Sequence, residues 1–347
     1  MNSLPVNQSV ATFSDLTFAS AFVVYFLALV LAIVYYVKHT AAVETTVEQN
    51  QSALVGAGSG GSAAGSGSSG VAADAPTADT EAASAAEKAE SLEAKAQRFA
   101  NMAQTMVFLG IVLHGTSLVL RGISASRFPF GNLYEYVSVI TFGTMVVTAL
   151  MITSRAIPAL WPWVLTPVLA LMFFGGTKLY AESAPLVPAL QSMWYPIHVS
   201  TVVTGASICM LSGVGSLVFL FRSRFPKGKE PASFLGRVAR PLPEAKVLDQ
   251  IAYKTAIWAL PIFGLGIALG AIWAESAWGR FWGWDPKETM SLVTWVLLAA
   301  YLHARAIPSF SRVFSAWINV VCLATMVFNL FFINMVTSGL HSYAGLN

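Results

Sequence analysis

WGRFWGWDPKETMSLVTWVLLAAYL, residues 278–302, holds in one run the two features that decide how this chain is built. Its first twelve positions carry three tryptophans, a phenylalanine, two basic groups and two carboxylates. The remaining thirteen form an apolar stretch fit to enter a membrane. The join is Asp285-Pro286-Lys287-Glu288, which reads as a helix start, with Asp at the N-cap, Pro at N1 and Glu at N3 in a capping-box arrangement. A tryptophan-rich loop therefore sits directly above a span.

Outward from that join, the chain has 347 residues, 56% hydrophobic and only 11% charged, with a mean hydropathy of +0.64. That excludes an ordinary soluble globule. A window of about 20 residues crosses roughly 30 Å of hydrocarbon. Such windows fall at 17–37, 100–120, 133–153, 160–176, 195–221, 252–273, 287–304 and 314–336. The expected fold is all-α: a polytopic membrane protein of about eight transmembrane helices with an external tryptophan-rich loop. Met1 to Asp15 holds no Lys or Arg, and the first apolar run is too long for a signal-peptide core, so it reads as a retained anchor.

Charge placement orients the chain. With both termini outside, only Arg121, Arg127, Lys178, Arg280 and Lys287 fall outside, and every other Lys and Arg lies inside. This is the positive-inside bias. The net charge of +3 and pI near 8.8 then reflect topology, and no nucleic-acid partner is expected. The chain divides into three regions: an N-terminal transmembrane anchor (1–39), a flexible cytoplasmic linker (40–98) and a seven-span core (99–347). Within the linker, GAGSGGSAAGSGSSG (56–70) is Gly/Ser-rich. The stretch TEAASAAEKAESLEAKAQRFA (80–100) is rich in helix formers and suits an extension of the second span.

The chain has no CxxC, CxxCH, Walker loop or GxSxG. Cys209 and Cys322 lie inside expected spans, where a thiol ordinarily packs as a small apolar group. The chemistry must therefore come from the loop and the histidines. One Trp at headgroup level is an interfacial anchor. Trp278, Trp282 and Trp284, punctuated by two glycines, instead offer a surface for a flat apolar ligand. Trp258, Trp273 and Trp295 flank them and either line the same surface or face lipid.

Of five histidines, His198 opens span five and His341 comes just past span eight, both on the outer side. Two imidazoles flanking a tryptophan loop suit axial ligation of a haem iron. His303 lies 17 residues beyond Pro286, about 25 Å along a helix, and cannot bind the same iron. It marks a second site if it is a ligand at all. His39 comes just after span one and reads as solvated. His114, within span two, is either functional or bonded to a neighbouring helix.

WGRFWGWDPKET, QSMWYPIHVS, YLHAR, GLHSYA and RFPFGNLYEYVSV together resemble the cytochrome c assembly family with a tryptophan-rich (WWD) haem-handling domain. The type is the CcsA/ResC subunit of the system II cytochrome c synthase, and the resemblance covers roughly residues 100–347. It implies that His198 and His341 are the external haem-iron ligands, that His303 is the membrane-embedded one, and that 278–285, ending in Asp285, is the haem-binding loop. It further implies haem b as ligand and substrate, a CcsB/ResB-type membrane partner, CxxCH apocytochromes c, thiol-reductant proteins and a bacterial plasma membrane location.

In that family haem is attached covalently on the outer side, as part of a holocytochrome c synthase. The substrate's Cys thiols add across the haem vinyls, so this chain need supply no catalytic residue, only positioning. Arg280 and Lys287 are candidate partners for the propionates, or else interfacial charge anchors. Arg121 and Arg127 are further candidates. Two other functions remain open: a haem chaperone or exporter without ligase activity, and a transporter of another amphipathic solute.

Overall fold

Long apolar runs broken by Pro, Gly and charge give a wholly helical bundle. The computed structural model describes residues 6–59, 78–155 and 157–341, and no strand occurs among them. The helices are α1 (Gln8–Ser59), α2 (Ala78–Ser124), α3 (Leu133–Arg155), α4 (Trp161–Lys178), α5 (Trp194–Arg224), the short α6 (Phe234–Ala239), α7 (Ala245–Trp278), α8 (Pro286–Ala306) and α9 (Arg312–Phe328). A π-helical turn, Asn329–Ile333, prolongs α9.

Seven helices among the described residues are long and apolar enough to cross a membrane. The expected span at 287–304 is α8, whose 21 residues reach about 32 Å. It falls outside those seven, and it carries Lys287, Glu288, His303 and Arg305. Its polar groups are housed by neighbours: Arg305 pairs with Asp249 of α7 at 2.9 Å, and Glu288 pairs with Arg280 at 3.1 Å.

The stretch expected as a flexible linker differs from the structure at both ends. α1 continues through residue 59 and α2 begins at Ala78. Ala42, Ala89, Ala96 and Ala100 are buried along these two helices, and His39 Nδ1 meets Glu93 Oε2 at 2.7 Å. The helix expected over 80–100 is formed as the start of α2, and it packs against the end of α1, where a linker was expected. Most of the Gly/Ser run 56–70 lies outside the described residues.

The first helix is also packed on the core. Ser14 Oγ donates to the Ser117 carbonyl at 2.8 Å, and the Tyr180 hydroxyl donates to Asp15 at 2.7 Å. One apolar core gathers α1 to α4, with parts of α5 and α7, around Tyr25, Met145, Trp161 and Leu165; a second gathers α5, α7, α8 and α9, with Ile140 of α3, around Ala259, Phe263, Trp273 and Leu298. Both described chain ends lie at the tryptophan-loop end: Asn7 N–H donates to Ser124 O at 2.9 Å, and His341 contacts Asp285.

Candidate functional site

α7 ends where Gly279 takes the left-handed conformation, φ +70°, and donates its N–H to Glu275 O at 2.8 Å. The chain then turns through Arg280–Trp284 and re-enters helix at Asp285. The capping box read from the sequence is formed. Asp285 Oδ1 accepts from Lys287 N–H at 3.2 Å, while Glu288 Oε2 accepts from Asp285 N–H at 3.1 Å and Gly283 N–H at 3.0 Å. Trp284, between them, holds φ +58°, a strained setting for a bulky side chain.

Beneath this loop a pocket runs down between α3, α5, α7, α8 and α9, with about 1230 Å³ of space including its mouth. Along α5 its wall extends from His198 through Val202 and Ala206 to Met210, about 18 Å of helix. Phe281 and Trp282 stand at the loop end, and Ser291, Thr294, Asn329 and Asn334 bring polar groups from α8 and the π-turn. Trp282 Nε1 and Asn329 Oδ1 are buried here without a hydrogen-bond partner among the described residues.

His198 and His341 line this one pocket. His198 Nδ1 donates to the Gly266 carbonyl at 2.8 Å. A carbonyl only accepts, so the lone pair of this imidazole lies on Nε2. A Cβ at Gly270 would come within 2.6 Å of the ring, so glycine lets α7 approach. His341 Nδ1 donates to Asp285 Oδ1 at 2.8 Å, giving the same tautomer.

Trp273 joins the pair: it stacks on His198 at 5.7 Å and 13°, and meets His341 edge-on at 5.8 Å. Trp278 packs edge-on to both Trp273, at 4.8 Å, and His341, at 5.0 Å. Burial pushes the His341 imidazole below its ordinary range, opposed by its bond to Asp285. Burial raises Asp285, but the His341 contact and the N–H groups of Leu340 and Lys287 outweigh it and hold the carboxyl below its ordinary range. An ionised carboxylate thus faces a neutral imidazole.

The two basic loop candidates separate. Arg280 is paired with Glu288 and stacks over Trp278 at 5.7 Å. Lys287 lines the pocket, donates to Asn334 Oδ1, lies 5.6 Å over the Tyr136 ring and forms no salt bridge among the described residues. Trp284 and Trp258 are about two-thirds exposed, and Trp295 ties α8 to α7 through Leu260 O at 3.0 Å. His303 is exposed in the last turn of α8, away from the pocket. No cluster of three or more His, Cys, Asp or Glu suited to a bare metal ion occurs among the described residues.

The Cytochrome C assembly protein family matches residues 130–341, a segment holding His198, the whole tryptophan loop and His341. The chain belongs to the cytochrome c assembly protein family. It is 30% identical over 242 residues to Cytochrome c biogenesis protein CcsA of Guillardia theta, covering 65% of this chain and 80% of that protein. It is 30% identical over 274 residues to the CcsA of Parasynechococcus marenigrum (strain WH8102), covering 72% and 88%, and 31% identical over 238 residues to that of Chlamydomonas reinhardtii, covering 66% and 65%.

Residue-level reading of the sequence left Trp273 undecided between site and lipid and did not single out Tyr136, Tyr195, Asn329 or Asn334, all of which line the pocket. It also missed Glu135. That carboxylate is buried in the first turn of α3, accepting from Arg121 Nε at 2.9 Å and Arg127 at 2.7 Å. Arg121 and Arg127 are thereby engaged. The available signal was Glu135 itself, an acidic residue at the start of an apolar run eight residues past an arginine.

Proposed function

We propose that the pocket is a haem site in a membrane subunit of cytochrome c assembly, and that haem b bound there is presented for thioether attachment to CxxCH apocytochromes c. The observation that carries this reading is the convergence of His198 and His341 on one pocket beside Trp273, each with Nδ1 held by a fixed acceptor. Fixed orientation and tautomer are what an imidazole needs to ligate iron. The apolar walls suit a macrocycle, and the orphaned polar atoms of Trp282 and Asn329 suit a ligand with polar edges.

His198 and His341 would hold the haem iron. Trp273, Trp282 and Phe281 would form the apolar wall, with Trp278 packed edge-on to Trp273 and His341, and Lys287 would pair with the propionates. Arg280 is already paired with Glu288, which favours Lys287 for that last role. In attachment, each substrate Cys sulfur bonds to a vinyl carbon and its proton goes to the neighbouring one, so no nucleophile is asked of this chain. His303, on an exposed face of α8, serves an entry site reached before the pocket, shared with a CcsB/ResB-type subunit.

The loop end faces the outside of a bacterial plasma membrane, as the distribution of Lys and Arg favours. A cysteine at exposed Ser276 should react with an impermeant thiol reagent from outside and one at exposed Ser233 should not; the reverse overturns the orientation. Coexpression with the partner subunit and a CxxCH reporter tests the whole reading. Covalent haem on the reporter, dependent on His198 and His341, is expected. Haem bound by the chain with no covalent product makes it a chaperone, and no bound haem overturns the site.

A further inference from the structure

We infer that Asp285 is the positioning residue of His341, fixing which imidazole nitrogen is turned to the ligand. The identity of that ligand rests on the haem reading above, whereas the pairing rests on geometry alone. Both carboxylate oxygens are committed. Oδ1 accepts from His341 Nδ1 at 2.8 Å and from Lys287 N–H at 3.2 Å, and Oδ2 accepts from Leu340 N–H at 2.8 Å. The last residue of the tryptophan loop therefore starts α8, holds the segment after α9 and orients its imidazole together.

Ionised carboxylates have acceptors only, so His341 must donate from Nδ1 and carry its lone pair on Nε2. His198 reaches the same tautomer by another route, through the Gly266 carbonyl. The close approach has a second feature. A Cβ at Gly339 would sit 2.4 Å from Asp285 Oδ2, so any larger residue there would force the carboxylate or the segment bearing His341 to shift. The side chains of Asp285 and His341 are 5% and 17% exposed, which shields the bond from water. Asp285 is thus an orienting partner to a ligand residue, the place a carboxylate takes in carboxylate–histidine–metal triads.

Asp285→Asn tests this. Asn is as good an N-cap as Asp, so the start of α8 survives. Its amide, however, has one accepting atom where the carboxylate has two: oxygen in the Oδ1 place sets NH₂ against Leu340 N–H, and oxygen in the Oδ2 place sets it against His341 Nδ1. Replacing an orienting Asp by Asn is known to leave a histidine in the wrong tautomer. Gly339→Ala perturbs the same contact without changing the carboxylate.

The readout is the ¹⁵N side-chain spectrum of the haem-free full chain in detergent, with the His341 signal assigned by its loss in His341→Gly. Wild type should show Nδ1–H at His341, at least one of the two variants should lose it, and His198 should be unmoved. Haem added to the purified variants should bind about 10–100-fold more weakly. An unchanged His341 tautomer in both variants overturns the inference, whatever happens to affinity. A wild-type chain that takes up no haem overturns the proposed ligand instead, and the tautomer comparison still decides the pairing.

Discussion

The bundle half built from α5, α7, α8 and α9 and the half built from α1 to α4 each hold buried histidine, and they treat it oppositely. His198 and His341 border a pocket, with Nδ1 bonded to a carbonyl and a carboxylate. His114 is fully buried: Nε2 lies 2.9 Å from Ser138 Oγ, Nδ1 has no hydrogen-bond partner among the described residues, and Phe18, Tyr25 and Phe142 surround the ring edge-on at 5.6–6.0 Å. The first half fixes its imidazoles and leaves space beside them. The second encloses its imidazole and leaves none. An intramembrane histidine is therefore a weak pointer to a site until its orienting partner and its free volume are known.

The largest effect is expected at the first turn of α3, away from the two pocket histidines. Glu135 neutralises Arg121 and Arg127 with only 1% of its side chain exposed. Glu135→Ala leaves both cations without it, and breaking a buried pair in this way costs about 3–5 kcal/mol. Thermal unfolding in detergent should register a large destabilisation. An unfolding temperature within a degree or so of wild type would show that Asp15, 3.5 Å from Arg121, compensates instead.

Next come the pocket ligands. His198→Gly and His341→Gly should each lower the haem retained on purification by about tenfold or more and shift its absorption spectrum, with added imidazole restoring part of both. Equal haem content in both variants and wild type would remove the contrast between the two halves.

The two halves also differ in what was legible in the sequence. The helices were, because apolar length and the Asp285–Glu288 start signal are local. The His198–His341 pairing was, because both flank the tryptophan loop at one end of adjoining spans. Trp273 was not resolved, since its stacking on His198 depends on how α5 packs against α7. The bonds from Asp285 to His341 and from Arg121 to Glu135 join residues on different elements, and no periodicity reports them. The flank before the Gly/Ser run misled for the converse reason, since a composition suited to a linker also suits close helix packing. The helix formers of the flank after it, 80–100, were legible as an extension of the second span.

A smaller effect is expected from pH. His341 is held below its ordinary value of 6.5, so it is neutral at pH 7 and the unfolded chain binds its proton first. Its contribution to stability, and the Nε2 lone pair, are therefore fully present above about pH 6.5 and lost as pH falls through the depressed value. The spectrum of bound haem should stay constant from pH 8 to 6.5 and change only below. A transition centred above 6.5 would mean that His341 is charged in the folded protein.

The smallest effect belongs to His114. Its ring makes one side-chain hydrogen bond, to Ser138, and leaves a nitrogen unmet in an apolar enclosure. His114→Leu removes that unmet group at the cost of one neutral hydrogen bond, terms of about 1 kcal/mol and of opposite sign. The Ser138 hydroxyl, on a helix, can turn to the carbonyl one turn back. Unfolding temperature should therefore move little, and pairing the change with Ser138→Ala should make it smaller still or reverse it. Haem content and spectrum should match wild type, because this ring does not line the pocket and Trp273, Asp285 and His198 all lie in the other half. If His114→Leu instead empties the pocket of haem while leaving the fold intact, the enclosure opens during haem transfer and the contrast between the two halves fails.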